Sequence, residues 1–257
     1  MVLHTPAERI ISLAPSLTEL LFALGAAAQI VGRTDWADFP AEVVGIRSVG
    51  DGLSPNVEMI VASQPDLVLF YASPSNDVAI AQLERAGVAT ASLKTDDLAD
   101  FMRATRLVGR LSGHEAQADS LVSWLETEMS TLWESRQQSA RRSVLILAWD
   151  NPPIAVGGGS FLSEIVELAG ARNLFADTDR PSLTVSIEAV AERNPDVVLV
   201  ASDSGLPGWV QRPEWQSVPA VRYRRFVVVQ GSEFSRPSYR APAAVRRLRT
   251  ALAELQP

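Results

Sequence analysis

Apolar residues along this chain fall into short unbroken runs that alternate with runs spaced three or four positions apart, the pattern of buried strands followed by amphipathic helices. Residues 9–14 read as a first strand. Ser16 and Glu19 then have the spacing of a capping box, opening a helix that runs to Gly25. Residues 30–34 predict a second strand, followed by the polar and aromatic loop Asp35-Trp36-Ala37-Asp38-Phe39-Pro40. Residues 67–70 predict a strand that opens into Tyr71-Ala72-Ser73-Pro74. A helix over 79–86 stopped by Gly87, a strand over 88–93 and a helix over 98–111 follow. Such alternation implies parallel strands joined by right-handed helical crossovers.

The pattern changes over 113–139, which predicts one long polar helix with Leu121, Trp124, Leu125, Met129, Leu132 and Trp133 along one side. About 27 residues at 1.5 Å each would reach about 40 Å. Beyond it lie a strand over 143–149, the segment Asp150-Asn151-Pro152-Pro153, a glycine loop over 157–160 and a strand over 225–229. A final helix begins near Pro242 with Ala244, Val245, Leu248, Leu252 and Leu255 on one face.

Two of these stretches are copies. Residues 56–69 return as residues 186–199 without a gap, so that Glu58 matches Glu188, and Pro65-Asp66 matches Pro195-Asp196. A helix ending in Gly25 is echoed by one ending in Gly170. The duplication predicts two similar α/β lobes with mainly parallel sheets, over 1–112 and 140–257, joined by the helix over 113–139. A cleft between the lobes is the expected place for a ligand.

Composition narrows the chemistry. The 257 residues carry a net charge of −7, which opposes nucleic-acid binding. The arginines at 222, 224, 225, 246, 247 and 249 read as a solvated face. With no Cys and only two His, the chain lacks the residues for a Cys/His zinc site, a Cys nucleophile or an iron–sulfur cluster, and no metal site or cofactor is expected. Asp35, Asp38 or Asp150 could serve an α/β enzyme as acid and base. Against that, no nucleophile elbow is present and no His stands in a candidate loop. The first residues lack the basic and apolar regions of a signal peptide. The expected location is therefore the cell-envelope exterior with a leader removed, or else the cytoplasm.

The segment from Arg9 through Pro15-Ser16-Leu17-Thr18-Glu19 to Gly25, the loop from Asp35 to Pro40, Pro65-Asp66-Leu67-Val68, Asn151-Pro152-Pro153, the glycine loop, the second repeat and Phe234-Ser235-Arg236 together resemble the helical-backbone class of substrate-binding proteins that serve ABC importers, in particular its cobalamin-binding branch. The resemblance spans nearly the whole chain. It implies two α/β lobes on one rigid helix, a ligand in the groove, delivery to importer membrane subunits, and no catalysis; a monomer is expected. The implied ligand is a cobalamin-like corrinoid, with a ferric siderophore or haem as the alternative.

Loops after the strands are where such a ligand would sit. By the resemblance, Trp36 and Tyr71 correspond to aromatic ligand contacts and Arg236 to a residue over the ligand; packing of its own loop, or a surface arginine, are the other readings. Trp149 continues a buried strand, so core packing competes with ligand contact. Gly158 and Gly159 read as a turn that brings backbone close to the ligand. Glu58 and Glu188 are the implied importer-docking pair, though a carboxylate in a first helical turn also favours the helix dipole without any partner. The cobalamin-binding branch has tryptophans where this chain has Gly50-Asp51-Gly52-Leu53 and Ser182, which leaves the ligand's identity open.

Overall fold

The computed structural model describes residues 5–136 and 142–255. It divides into two compact units, Met1–Leu125 and Glu126–Pro257.

The first unit runs β1 (Ile10–Ser12), α1 (Pro15–Ala23), β2 (Ile30–Arg33), α2 (Val57–Ala62), β3 (Leu67–Tyr71), α3 (Asp77–Arg85), β4 (Ala89–Leu93) and α4 (Leu98–Ser112), and the division between units falls inside α5 (Glu115–Glu134). Its four strands pair in the order β2-β1-β3-β4, all parallel. Ile11, Leu13, Ile60, Val68, Phe70 and Leu83 form a core beside this sheet.

The second unit runs β5 (Ser143–Asp150), β6 (Pro153–Val156), α6 (Phe161–Leu168), β7 (Arg172–Asn173), β8 (Ser182–Thr184), α7 (Ile187–Arg193), β9 (Val197–Ala201), α8 (Pro219–Arg222), β10 (Phe226–Val229), α9 (Gly231–Phe234) and α10 (Ala241–Glu254). Parallel pairing of β5 with β7 and β9, and of β9 with β10, repeats the first unit's order. Two further strands join antiparallel, β6 to β5 and β8 to β6. A reversal at Asn151 and Pro152 sends the chain straight back along the strand it has just made. Trp209 and Trp215 pack in this unit's core with ring centroids 4.6 Å apart.

The sequence repeat has a hydrogen-bonding cause. Asn56 Oδ1 accepts from Met59 N–H at 3.0 Å and Ser186 Oγ from Ala189 N–H at 3.1 Å, so each copy opens its helix with a capping side chain. Gln64 and Asn194 close the two helices at φ +49° and +46°, the left-handed turn that a helix end requires. Asp66 Oδ2 then accepts the amides of Glu8 and Arg9, while Asp196 Oδ2 accepts the amide and hydroxyl of Ser143. Each aspartate therefore pins the start of the returning strand to the start of the unit's first strand. Ile60 and Val190, the matched apolar positions, are both fully buried.

Four expectations are corrected. α1 begins at Pro15 with Ala14 as its unassisted cap, because the proline sets the helical φ one residue earlier than a Ser16 cap would; Ser16 Oγ instead faces Thr95 Oγ1 at 3.4 Å, and Glu19 is buried. The long polar helix is two residues shorter at its start and ends at Glu134, with 20 residues spanning about 30 Å. Gly113 at φ +77° terminates α4 and separates it from α5, and the predicted positions 137–139 lie outside the described residues. Its buried line is Ala118, Val122, Leu125 and Leu132, whereas Trp124 and Trp133 are exposed. Finally, the arginines of α10 are engaged rather than merely solvated: Arg246 pairs with Glu128, Arg247 with buried Glu233 at 3.2 Å, and Arg249 donates to the Leu132 and Leu168 carbonyls.

Candidate ligand-binding site

In the first unit, β1 and β3 end side by side, and the residues just past them enclose a cavity of about 300 Å³. Leu13, Ala14 and Pro15 follow β1, Tyr71 closes β3, Asn76 precedes α3, and Trp36, Gly52 and Leu53 come from the two loops beyond β2. The lining is largely apolar. Trp36 is 65% exposed and Leu53 64%, so large apolar side chains face water where a folded chain ordinarily covers them. Gly52 permits this arrangement, since a Cβ there would stand 2.2 Å from the Leu13 carbonyl oxygen.

The polar edge of this cavity is tightly organised. Tyr71 donates its hydroxyl to Asp96 Oδ1 at 2.5 Å, and Asn76 Nδ2 donates to the Tyr71 carbonyl at 3.0 Å. The hydrogen bond to Asp96, assisted by partial burial, pushes the Tyr71 phenol up to about 12, so it stays protonated. Lys94 bridges Asp96 and Asp100 at 3.4 and 3.1 Å, and these bonds hold its ammonium above the usual lysine range. Burial pushes the Asp100 carboxyl up, but hydrogen bonds from Lys94 and Arg103 outweigh it and hold the group below the usual carboxylate range.

The second unit has a counterpart of about 220 Å³ past the ends of β5 and β9, lined by Leu147, Trp149, Asp150, Ala201, Ser202 and Trp209, among others. By the repeat, Ala201 occupies the position of Tyr71. Asp150 pairs with Arg212 at 2.8 Å. Trp149 is 61% exposed and donates its indole N–H to the Asn151 carbonyl at 2.9 Å, which corrects the core-packing reading. β5 leaves the core after Leu147, and Ala148 and Trp149 are exposed.

The glycine loop is corrected as well. The Gly157, Gly158 and Gly159 amides donate to the carbonyls of Pro181, Thr178 and Arg180, within the same unit. A Cβ at 158 would lie 2.6 Å from the Ala176 oxygen and one at 159 would lie 2.2 Å from the Asp179 oxygen. Gly158 and Gly159 are therefore glycines because a neighbouring loop crosses them, and their amides are already occupied.

Glu58 and Glu188 occupy the same place in α2 and α7, both in the first turn and both exposed. Arg236 follows α9, half-buried, and does not line either cavity. Sequence reasoning missed Asn76, Leu13, Pro15 and Asp96. The rule that ligands gather past strand ends already pointed to Leu13 and Pro15, whereas Asp96 reaches Tyr71 only through the pairing of β3 with β4. Among the described residues no group of three or more His, Asp or Glu is arranged to hold a metal ion, and no helix is long and apolar enough to cross a membrane.

Two repeated α/β units with exposed aromatic residues past their strand ends define a binding protein. Residues 10–232 match the family model described as periplasmic binding protein, and the chain belongs to that family. It is 29% identical over 252 residues to the vitamin B12-binding protein of Pectobacterium carotovorum subsp. carotovorum (strain PC1), covering 97% of this chain and 90% of that one. Among solved structures it is similar to the periplasmic vitamin B12 binding protein BtuF of Vibrio cholerae, at TM-score 0.78, 25% identity and coverage of 97% and 98% of the two chains. It is also similar to the periplasmic heme-binding protein RhuT from Roseiflexus sp. RS-1, at TM-score 0.84, 26% identity and coverage of 95% and 97%.

Proposed function

We propose that this protein is the extracytoplasmic binding component of an ABC importer, carrying a cobalamin-like corrinoid and releasing it unaltered to the membrane subunits. The observation that carries this reading is the apolar cavity of the first unit, where Trp36 and Tyr71 present broad rings beside an exposed Leu53. A corrinoid is a large apolar disc with a polar rim, and stiff aromatic side chains give it contact area at low entropic cost. In the second unit, Trp149 lines the counterpart cavity, and Arg236 is a further proposed contact whose guanidinium offers charge-assisted hydrogen bonds to amide or phosphate oxygens. Membership of the periplasmic binding protein family and likeness to vitamin B12-binding relatives support it.

Haem or a ferric siderophore is the second reading, favoured by the likeness to a heme-binding protein. Titration of the protein with cyanocobalamin, haemin and ferric siderophores, followed by tryptophan fluorescence, separates the two. Saturable quenching by cyanocobalamin supports the first reading. Quenching by haemin or a siderophore alone supports the second.

Glu58 and Glu188 are the proposed docking pair, since exposed charges chiefly set orientation and encounter rate. A variant carrying Glu58→Gln and Glu188→Gln should keep ligand affinity and lose stimulation of a reconstituted importer. Unchanged transport would remove this role.

A further inference from the structure

Carboxylates stand beside several positions that line the first unit's cavity. Three lining positions adjoin carboxylates in the chain: Trp36 follows Asp35, Gly52 follows Asp51, and Asn76 precedes Asp77, while Asp96, which accepts from Tyr71, is balanced by Lys94. Among the described residues, no cationic one lines the cavity. Lys94, Arg103 and Arg33 are already committed, whereas Arg47, five residues before Gly52, is exposed. Lys94 pairs with Asp96 and Asp100, Arg103 pairs with Asp100, and Arg33 donates to the backbone carbonyls of Val43, Ile46 and Thr34 at 2.9 to 3.1 Å.

A second observation points the same way. Asn76 is fully buried and lines the cavity, and its amide nitrogen is fixed on the Tyr71 carbonyl, which fixes the orientation of the amide. Its Oδ1 is left without a hydrogen-bond partner. A buried acceptor in that state is costly until a donor reaches it. An N–H or O–H group meets that need, and an anionic oxygen, which only accepts, does not. The phenol of Tyr71 adds no free donor, because its proton is held by Asp96.

We infer that this cavity takes an uncharged or cationic, hydrogen-bond-donating face of the ligand, such as a rim of carboxamides, and turns anionic groups away. The inference rests on the reading of the cavity as the ligand site and names its chemistry. Any carboxylate or phosphate of the ligand must then be met elsewhere. Asp35, Asp51 and Asp77, each one residue from a lining position, act as selecting charges through their field rather than through contact.

The test uses two probes with the same aromatic body, neutral N-phenyl-naphthylamine and its sulfonate, anilinonaphthalene sulfonate, titrated into the full chain at low salt. The neutral probe should bind at least about tenfold more tightly. Because it is also the more apolar of the two, the decisive comparison is the variant carrying Asp35→Asn, Asp51→Asn and Asp77→Asn. There the gap should narrow about fivefold or more, through tighter binding of the sulfonate, with the neutral probe within about twofold of its original affinity. Trp36→Ala should weaken both probes and so locate them. An unchanged gap in the triple variant, equal affinities in the unaltered chain, no binding of either probe, or indifference to Trp36→Ala would each overturn the inference. If the probes behave as expected while no metal chelate binds, the charge selection stands and the carrier reading falls.

Discussion

Tyr71 shows how far one side chain's role depends on a partner distant in sequence. Alone, it is an aromatic residue at a strand end; bonded to Asp96, it is a fixed, protonated wall of the cavity. Its phenol should titrate near pH 12, read as the tyrosinate absorbance lost in Tyr71→Phe, and Asp96→Asn should return it toward the ordinary value of 10. Because the folded value is raised, this phenol's contribution to stability is fully present below about pH 10 and disappears as pH rises through about 12. Asp100 has the opposite sign. Its lowered carboxyl stabilises the fold above the usual carboxylate range, and that contribution is lost as pH falls through its folded value, so Asp100→Asn should lower the melting temperature more at pH 7 than at pH 3. An equal loss at both would mean that the bonds to Lys94 and Arg103 contribute nothing. For ligand contact, Trp36→Ala should weaken cyanocobalamin at least about tenfold, about 1.4 kcal/mol, with no change in melting temperature, since the ring is exposed.

Elements were legible wherever the sequence carried a local signal. The matched helices of the repeat, α2 and α7, lie where Asn56 and Ser186 cap them, and Gly25, Gly87 and Gly170 each take positive φ at a helix end. What local signals could not show was whatever depends on another element. The antiparallel β6 and β8 depend on the reversal after Asp150, and the glycine loop depends on the crossing segment over 176–181. The exposure of Trp124 and Trp133 depends on which side of α5 finds neighbours, a choice that its many apolar residues leave open. Two measurements address the element scale. Asn56→Ala and Ser186→Ala should each cost about 1 kcal/mol in chemical denaturation, as lost caps do. Gly158→Ala should cost about 2 kcal/mol or more, because the methyl group meets the Ala176 and Thr178 oxygens at 2.6 and 2.7 Å. A neutral Gly158→Ala would restore the reading of this loop as an open turn.

At the scale of the molecule, duplication organises both structure and site. The same parallel order of four strands appears in each unit, and each places a cavity past the ends of its first strand and that strand's central partner. The copies have diverged at positions that line the cavities: Tyr71 in one unit stands where Ala201 stands in the other, and Leu53 lies in the segment where the cobalamin-binding branch has a tryptophan. This is why the sequence disclosed the class of protein more readily than the cargo. Architecture is written in caps, strand runs and turn residues repeated along the chain, whereas specificity rests on a few side chains brought together from separate loops. A carrier of this kind binds a corrinoid and returns it unchanged. Size-exclusion chromatography of the protein mixed with excess cyanocobalamin is the decisive experiment. Corrinoid absorbance should co-elute with the protein at one equivalent per chain and be recovered with its original spectrum after denaturation; elution of all the corrinoid in the small-molecule volume, or recovery of an altered product, would contradict the carrier reading.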